Sequence, residues 1–386
     1  METFRALIRG DLPPVGGPIA YFSGDSQVPL PVFGGYSSYW IDSGTSALAL
    51  AFLSIKSLRA EMVFPEVILP GYCCPDLVAA AHYAGLRPVI IDIEIDDPAL
   101  DQHALRAAIT ANTVAIIAIN FLGVGENFQA LQALKIEHPH LLIVEDNAQW
   151  FPCAEELHLL SGDFVTFSFG RGKPVSLLGG GLLLSKCELS SEVVANVKRQ
   201  QNLSGISSLL LMIKYFIYNR LTEPFFYQFL NRNPLLSLGQ TRYHSLLEIT
   251  SMDSVRSTLL ATNMELYANS NAAVDLKYDQ LFLDIGFQNA FKPLGTNRRR
   301  RLLRYPVLFS SIEQKNRIYP KLVKLGLGAT EMYKMTLPEI EGVKDISTKG
   351  SLKNAISFAS RFISLPVHGA VTAEHLQLIQ DIFSDK

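Results

Sequence analysis

Between about residues 38 and 195 the chain alternates two textures: short, unbroken apolar runs, and longer stretches whose apolar residues recur three and four apart. The runs cover 67–70, 88–93, 114–120, 141–146 and 164–168 and are rich in valine, isoleucine and leucine. The stretch beginning at Asp76, Asp-Leu-Val-Ala-Ala-Ala-His-Tyr-Ala, carries the helical texture. A strand covered on both faces has no wet side to alternate with, so these runs predict a mainly parallel sheet with helices on both faces. Sheets of that kind bind ligands beyond the carboxyl ends of their strands. Asn120, Asp146 and Ser168 all stand at predicted strand ends, which points to one site.

From about 192 to 231 the pattern changes. Residues 207–220 read Ser-Ser-Leu-Leu-Leu-Met-Ile-Lys-Tyr-Phe-Ile-Tyr-Asn-Arg, and from Pro224 follows Phe-Phe-Tyr-Gln-Phe-Leu. The apolar run is too short to cross a bilayer, so its side chains need another sink. The second domain's core, a sister subunit and a membrane surface are the three on offer. Interruptions at Asn219, Glu223 and Asn231 favour the first two, and Lys214 and Arg220 leave a membrane-surface helix as the alternative. A second unit begins near 297, with strands predicted at 302–309 and 362–368, a helix over 318–328 ended by glycine, and another starting at Thr372. The expected division is a large domain with an N-terminal extension over 1–195, an apolar helical insertion or linker over 196–240, and a helical connection with a small α+β domain over 241–386.

Composition narrows the function classes. With 48% hydrophobic and 18% charged residues in 386, the chain can bury a real core, and a net charge of −2 gives no electrostatic case for nucleic acid. The first residues lack a basic stretch followed by an apolar one, so no secretory leader is expected. Cys73, Cys74, Cys153 and Cys187 form neither a disulfide framework nor a zinc spacing, and His82, His103, His138, His140 and His158 show no ligand spacing. No metal site is expected, and the reading is a cytoplasmic protein.

Three local signals then carry chemistry. Lys173 follows the apolar run ending at Ser168, within Ser-Phe-Gly-Arg-Gly-Lys-Pro, and is a candidate Schiff-base former. Asp146 ends the run before it and is a candidate partner for a protonated pyridine nitrogen. Ser43-Gly44-Thr45-Ser46-Ala47 is a small, hydroxyl-rich turn before a helical stretch, and such a turn offers backbone amides to a phosphate. A covalent anchor, a counter-charge and a phosphate turn are what pyridoxal 5'-phosphate (PLP) needs. Each alone has an ordinary structural reading, and their order along the chain is what carries weight.

These residues resemble the DegT/StrS sugar aminotransferases, PLP enzymes of fold type I. Ser43-Gly44-Thr45-Ser46-Ala47-Leu48 is similar to the family's early phosphate turn, and Glu145-Asp146-Asn147-Ala148-Gln149 to its acidic motif. Gly162-Asp163, Phe167-Ser168-Phe169, Lys173 and Gly180-Gly181 are similar to its lysine motif, and Leu365-Pro366-Val367-His368 to its C-terminal one. The resemblance implies a homodimer in which Lys173 is the covalent anchor and proton shuttle, and Asp146 pairs with the ring N–H. It further implies that Gln149 approaches the phenolic oxygen, while Gly44, Thr45 or Ser46, and Ser168 hold the phosphate.

Departures fall on the substrate side. Gly170 stands where the family carries histidine, Asn120 lies in an altered strand-end motif, and Cys74 takes the place of the aromatic that stacks on the ring, leaving Tyr72 as the nearest aromatic. Thr241 and Asn263 are candidates for the residue that the family lends from a neighbouring subunit. The basic cluster Asn297 to Arg301 with Arg304 reads as a solvated loop, or as a grip for a carboxylate or pyrophosphate, with Arg304 the one expected to point inward. The reading is an aminotransferase moving an amino group from a donor such as glutamate to a carbonyl of a small substrate, such as a nucleotide-linked keto-sugar. A PLP-dependent dehydratase, which Lys173 argues against, and a non-catalytic binding protein are the alternatives.

Overall fold

The computed structural model describes residues 10–22, 30–199, 205–232, 241–270, 273–287 and 298–385. In chain order its first part runs β1 (Ser37–Ile41), α1 (Gly44–Leu58), β2 (Glu66–Pro70), α2 (Asp76–Ala84), β3 (Arg87–Ile91), α3 (Gln102–Ala108), β4 (Thr113–Ile119), α4 (Phe128–Glu137), β5 (Leu142–Asp146), β6 (Phe164–Ser168) and β7 (Gly181–Ser185). The five apolar runs of the sequence are β2 to β6; β1 and β7 lie outside them. β2 through β6 are parallel, whereas β7 is antiparallel to both β6 and β1. β2 leads to β3 on one side while β4 leads to β5 on the other, so the connections diverge between β2 and β4, where such sheets open a crevice.

α1 starts where the sequence puts the phosphate turn. Ser43 is extended, and its hydroxyl accepts the Ser46 amide at 3.1 Å, a cap that begins the helix at Gly44. α1 is buried almost all round, between the sheet and α2. The glycine pair at 180–181 has a steric reason nearby: a Cβ on Gly181 would lie 2.1 Å from the Ser43 carbonyl oxygen, so only glycine lets β7 pass beneath the cap.

Beyond β7 come α5 (Ser191–Val194), β8 (Val197–Lys198), α6 (Gly205–Leu221), α7 (Pro224–Asn231), β9 (Ile249–Thr250), α8 (Ser254–Asn269) and α9 (Val274–Asp284). The C-terminal unit contains β10 (Arg304–Leu308), α10 (Ile312–Lys324), β11 (Ser347–Thr348), α11 (Lys353–Arg361), β12 (Phe362–Pro366) and α12 (Ala373–Ser384), with β10 and β12 antiparallel. β11 adds to β3, so the C-terminal unit supplies the eighth strand, at the edge of the sheet. α10 begins six residues before the expected start, because Ser311 caps it by accepting the Gln314 amide. α12 starts at Thr372 as expected, with His375 Nδ1 accepting the Thr372 amide at 3.1 Å in the place a glutamate would take. One apolar core runs from the sheet into this unit, bridged by Tyr72, Phe121, Tyr333, Phe358 and Phe362.

The apolar middle block corrects an expectation. α6 and α7 are not buried in the second unit's core: of their apolar side chains, only Leu211 and Tyr215 are buried. α6 seats one narrow face on the β6–β7 side, where the Tyr215 hydroxyl donates to the Leu177 carbonyl at 3.0 Å. Ile206, Leu209, Leu210, Ile213, Phe216 and Ile217 stay exposed. No helix among the described residues is long and apolar enough to cross a membrane.

Candidate active site

The carboxyl ends of β2, β4, β5 and β6 and the N-terminus of α1 converge on one cleft. Gly44, Thr45, Cys73, Cys74, Asp76, Phe121, Asp146, Gln149, Ser168, Lys173 and Tyr333 are among its walls. Strand ends put Asp146 and Ser168 there; a turn in which the Lys173 amide donates to the Gly170 carbonyl at 3.3 Å brings the lysine across. Lys173 also faces a second, larger cavity of about 560 Å³, walled by the N-terminal segment at Pro13–Pro18, the α6–α7 junction, α8, Arg301 and His368. Lys173 therefore borders both a small cleft and a roomy chamber.

Asp146 is 6% exposed, and its carboxylate accepts one hydrogen bond among the described residues, from the Ala148 amide at 2.9 Å. Burial pushes its pKa up from the ordinary carboxylate range; the Ala148 amide and Lys173 pull it back, and Asp76 adds to the rise. Asp76 accepts the Thr45 hydroxyl at 3.2 Å, tying the start of α2 to the start of α1. The Cys74 thiol is pushed up to about 12, by burial first and Asp76 next, so it meets the cleft as a neutral thiol. The Gln149 amide is fully aimed: its oxygen accepts the Leu122 amide at 2.8 Å and its nitrogen donates to the Tyr333 hydroxyl at 3.2 Å.

These residues fit PLP. Gly44 and Thr45 are the first helical residues of α1, and their amides have no acceptor within the helix. A Cβ on Gly44 would lie 2.6 Å from Ser168 Cβ, so glycine keeps the gap between helix start and strand end that a phosphate would use.

Four expected residues lie outside the cleft. Tyr72 is 2% exposed, with its hydroxyl on the Tyr333 carbonyl at 3.1 Å and its ring at the centre of the aromatic core; Cys73 and Cys74 line the cleft instead. Ser46 is fully buried, its hydroxyl accepting from the Ser43 hydroxyl in the cap of α1. Asn120 lies between two cleft residues, Ile119 and Phe121, and so points to the opposite face, where its amide binds Glu145 at 3.0 Å and Asn147. Arg304 does point inward, but to the Gly328 and Ser364 carbonyls at 3.1 and 3.2 Å, and burial lowers its pKa to about 10. The basic cluster is not a solvated loop. Arg298 pairs with Asp97, Arg299 with Asp275 and Asp279, Arg300 lies 4.0 Å over the Trp150 ring, and Arg301 3.9 Å over Tyr267; Asn297 lies outside the described residues. His368 and Asn263 border the chamber, with His368 Nε2 2.8 Å from the Pro13 carbonyl oxygen. Sequence reasoning missed Asp76 and Tyr333. The former carried a weak signal as the first residue of a predicted helix; the latter, in an irregular segment, carried none.

A model of the DegT/DnrJ/EryC1/StrS aminotransferase family matches residues 38–203, the segment that builds this cleft. Over that segment the chain is similar to the family. A dTDP-4-amino-4,6-dideoxy-D-glucose transaminase from Shigella dysenteriae is 23% identical over 88% of this chain and 82% of its own length. A UDP-N-acetyl-3-dehydro-alpha-D-glucosamine 3-aminotransferase from Acidithiobacillus ferrooxidans is 30% identical over 42% of each chain. Among solved structures, a family aminotransferase from Brucella abortus superposes with a TM-score of 0.64 at 18% identity, over 90% of this chain and 86% of that one. A GDP-4-keto-6-deoxy-D-mannose-3-dehydratase from E. coli, with bound hydrated PLP, gives 0.66 at 14% identity over 96% and 99%. At these identities the structural likeness speaks for the fold.

Proposed function

We propose that this chain is a member of the DegT/DnrJ/EryC1/StrS family and a PLP-dependent aminotransferase that takes the amino group of glutamate and passes it to a carbonyl of a nucleotide-linked keto-sugar, working as a homodimer in the cytoplasm. The observation that carries the reading is the meeting of Lys173, Asp146 and the capped start of α1 at one cleft, next to a chamber large enough for a second substrate. Four free cysteines accord with a reducing compartment.

Bound PLP supplies an electron sink for the charge left when the donor's α-proton departs. Asp146 would hold the ring nitrogen and keep it protonated through a charge-assisted hydrogen bond in a water-poor site. The Gly44 and Thr45 amides and the Ser168 hydroxyl would hold the phosphate, and Gln149 would face the phenolic oxygen. Lys173 is the covalent anchor. With the cofactor bound, the free Lys173 amine would accept the donor's α-proton and pass it on to the cofactor side in the first half reaction, and would move a proton in the opposite sense, to the acceptor carbon, in the second. The chamber holds donor and acceptor in turn, with Arg301 and Asn219 on its wall.

Absorbance tests this directly. Protein loaded with PLP should show a visible band that glutamate bleaches and a nucleotide-linked keto-sugar restores. A band that glutamate leaves unchanged overturns the donor; a bleached band that no keto-sugar restores overturns the acceptor.

A further inference from the structure

The exposed side of α6 is an apolar stripe. Ile206, Leu209, Leu210, Ile213, Phe216 and Ile217 recur three and four apart and are between 43% and 75% exposed. α7 continues the surface with Phe225, Phe226 and Phe229, 49%, 41% and 63% exposed, whose rings meet edge to face at 5.3 and 5.8 Å. A third segment joins from far away in sequence: Tyr21 packs its ring 6.5 Å from Phe216, and next to it Phe22 is 71% exposed. Surface apolar residues scattered singly need no explanation, whereas a continuous patch built from three segments does.

Charge says what covers it. Between Gly205 and Arg232 the only acid is Glu223, which pairs with Arg220 at 2.9 Å; of the other two cations Arg232 pairs with Asp11 at 2.6 Å, which leaves Lys214 without a carboxylate partner among the described residues. Neither helix carries an acid on its exposed side. A second copy pairing along this stripe would bring two Lys214 ammoniums to one apolar seam with no carboxylate from either helix to meet them. Anionic headgroups supply that counter-charge, while the acyl boundary takes up leucine, isoleucine and phenylalanine. Neither helix is long enough to cross, so the geometry is that of helices lying in the interface. We propose that α6 and α7 dock this protein on a bilayer surface containing anionic phospholipid.

The docking has a consequence for the reaction. Tyr218, Asn219, Thr222, Glu223 and Pro224, from these two helices and the turn between them, wall the chamber that Lys173 faces. A helix with its side chains is about 10–12 Å across, so the chamber would lie about that far from the headgroups. Amino transfer would then occur at the membrane surface rather than in bulk solution.

The test uses the full chain and vesicles of phosphatidylcholine with and without phosphatidylglycerol, followed by sedimentation, alongside analytical ultracentrifugation without lipid. The wild-type protein should sediment with the anionic vesicles and release with salt. A triple change of exposed residues, Leu209→Ser, Ile213→Ser and Phe216→Ser, should weaken binding on the order of a hundredfold. Lys214→Ala should weaken it about fivefold. Circular dichroism and thermal midpoint check that both variants fold. If they do not, Phe225→Ser with Phe229→Ser repeats the test on α7. Absence of vesicle binding by the wild type, or folded variants that bind as the wild type does, overturns the proposal. A triple variant that turns a dimer into a monomer, with no vesicle binding at any stage, assigns the face to a second copy instead.

Discussion

Glu145 and Asp146 are adjacent on β5, face opposite sides of the sheet, and meet opposite surroundings. On the Glu145 side every acceptor site is used: one oxygen takes the Asn120 and Asn147 side-chain amides at 3.0 and 3.1 Å, the other the Ser161 and Gly162 backbone amides at 2.8 and 3.0 Å. Arg300 closes the cluster, 3.5 Å from Glu145 and stacked on Trp150. On the Asp146 side the carboxylate holds one backbone amide and opens onto the cleft. A buried acid that holds structure has its lone pairs filled by protein, and one kept for a ligand is left with capacity and a perturbed pKa.

Removing Lys173 should separate the two faces most sharply. Lys173→Ala should lower turnover about 10⁴-fold, yet leave thermal unfolding of the cofactor-free protein unchanged, because the side chain makes no hydrogen bond among the described residues. Borohydride reduction of the wild type and peptide mass spectrometry should find the cofactor on Lys173; a label on another lysine breaks the assignment.

Glu145→Ala attacks the other face. It leaves Arg300 and four donors without their acceptor and should cost about 3–5 kcal/mol in urea unfolding. A loss below about 1 kcal/mol would show that the cluster is not structural.

Asp146→Asn should do the reverse. Turnover should fall about 10- to 100-fold, the worth of a charge-assisted hydrogen bond. Stability of the cofactor-free protein should rise. Because the folded-state pKa of Asp146 is raised, its stabilising contribution is present below the ordinary carboxylate range and is lost as pH climbs through the raised value. The advantage of the asparagine variant should therefore grow over that window in pH-dependent unfolding, and a variant less stable there than the wild type would contradict the assigned shift.

Smaller effects sharpen the picture. Gly44→Ala places a methyl against Ser168 and should raise the cofactor Kd about tenfold in a fluorescence titration, with an unchanged Kd counting against the phosphate cradle. Tyr333→Phe removes the acceptor of the Gln149 amide and should cost about 1 kcal/mol or less in cofactor affinity; a much larger loss would give Tyr333 a direct part in holding the ring.

The chain's own order of residues determined β2 to β6, their parallel course and the positions at their ends, but not β1, β7 or β11 at the sheet's margins. Unbroken apolar runs have one low-energy arrangement, a sheet covered on both faces, and that arrangement sends 146 and 168 to the same edge. The cap at Ser43 is likewise readable, because it is a local backbone requirement, whereas glycines 44 and 181 are required by close contacts with Ser168 and Ser43 that only packing brings near. Which side of each strand end faces the cleft was decided only by tertiary structure. Alternation fixes Ile119, Asn120 and Phe121 relative to one another but says nothing about which face is open, so Asn120 and Tyr72 were placed on the wrong one. Contacts across long separations were equally invisible: Gln149 meets Tyr333 across 184 residues, and no local pattern encodes a partner that packing alone brings near. The apolar helices 205–221 and 224–231 are the remaining case. Their hydrophobicity is plain in the sequence, but only the assembled surface shows that, among the described residues, the core closes without most of their apolar side chains.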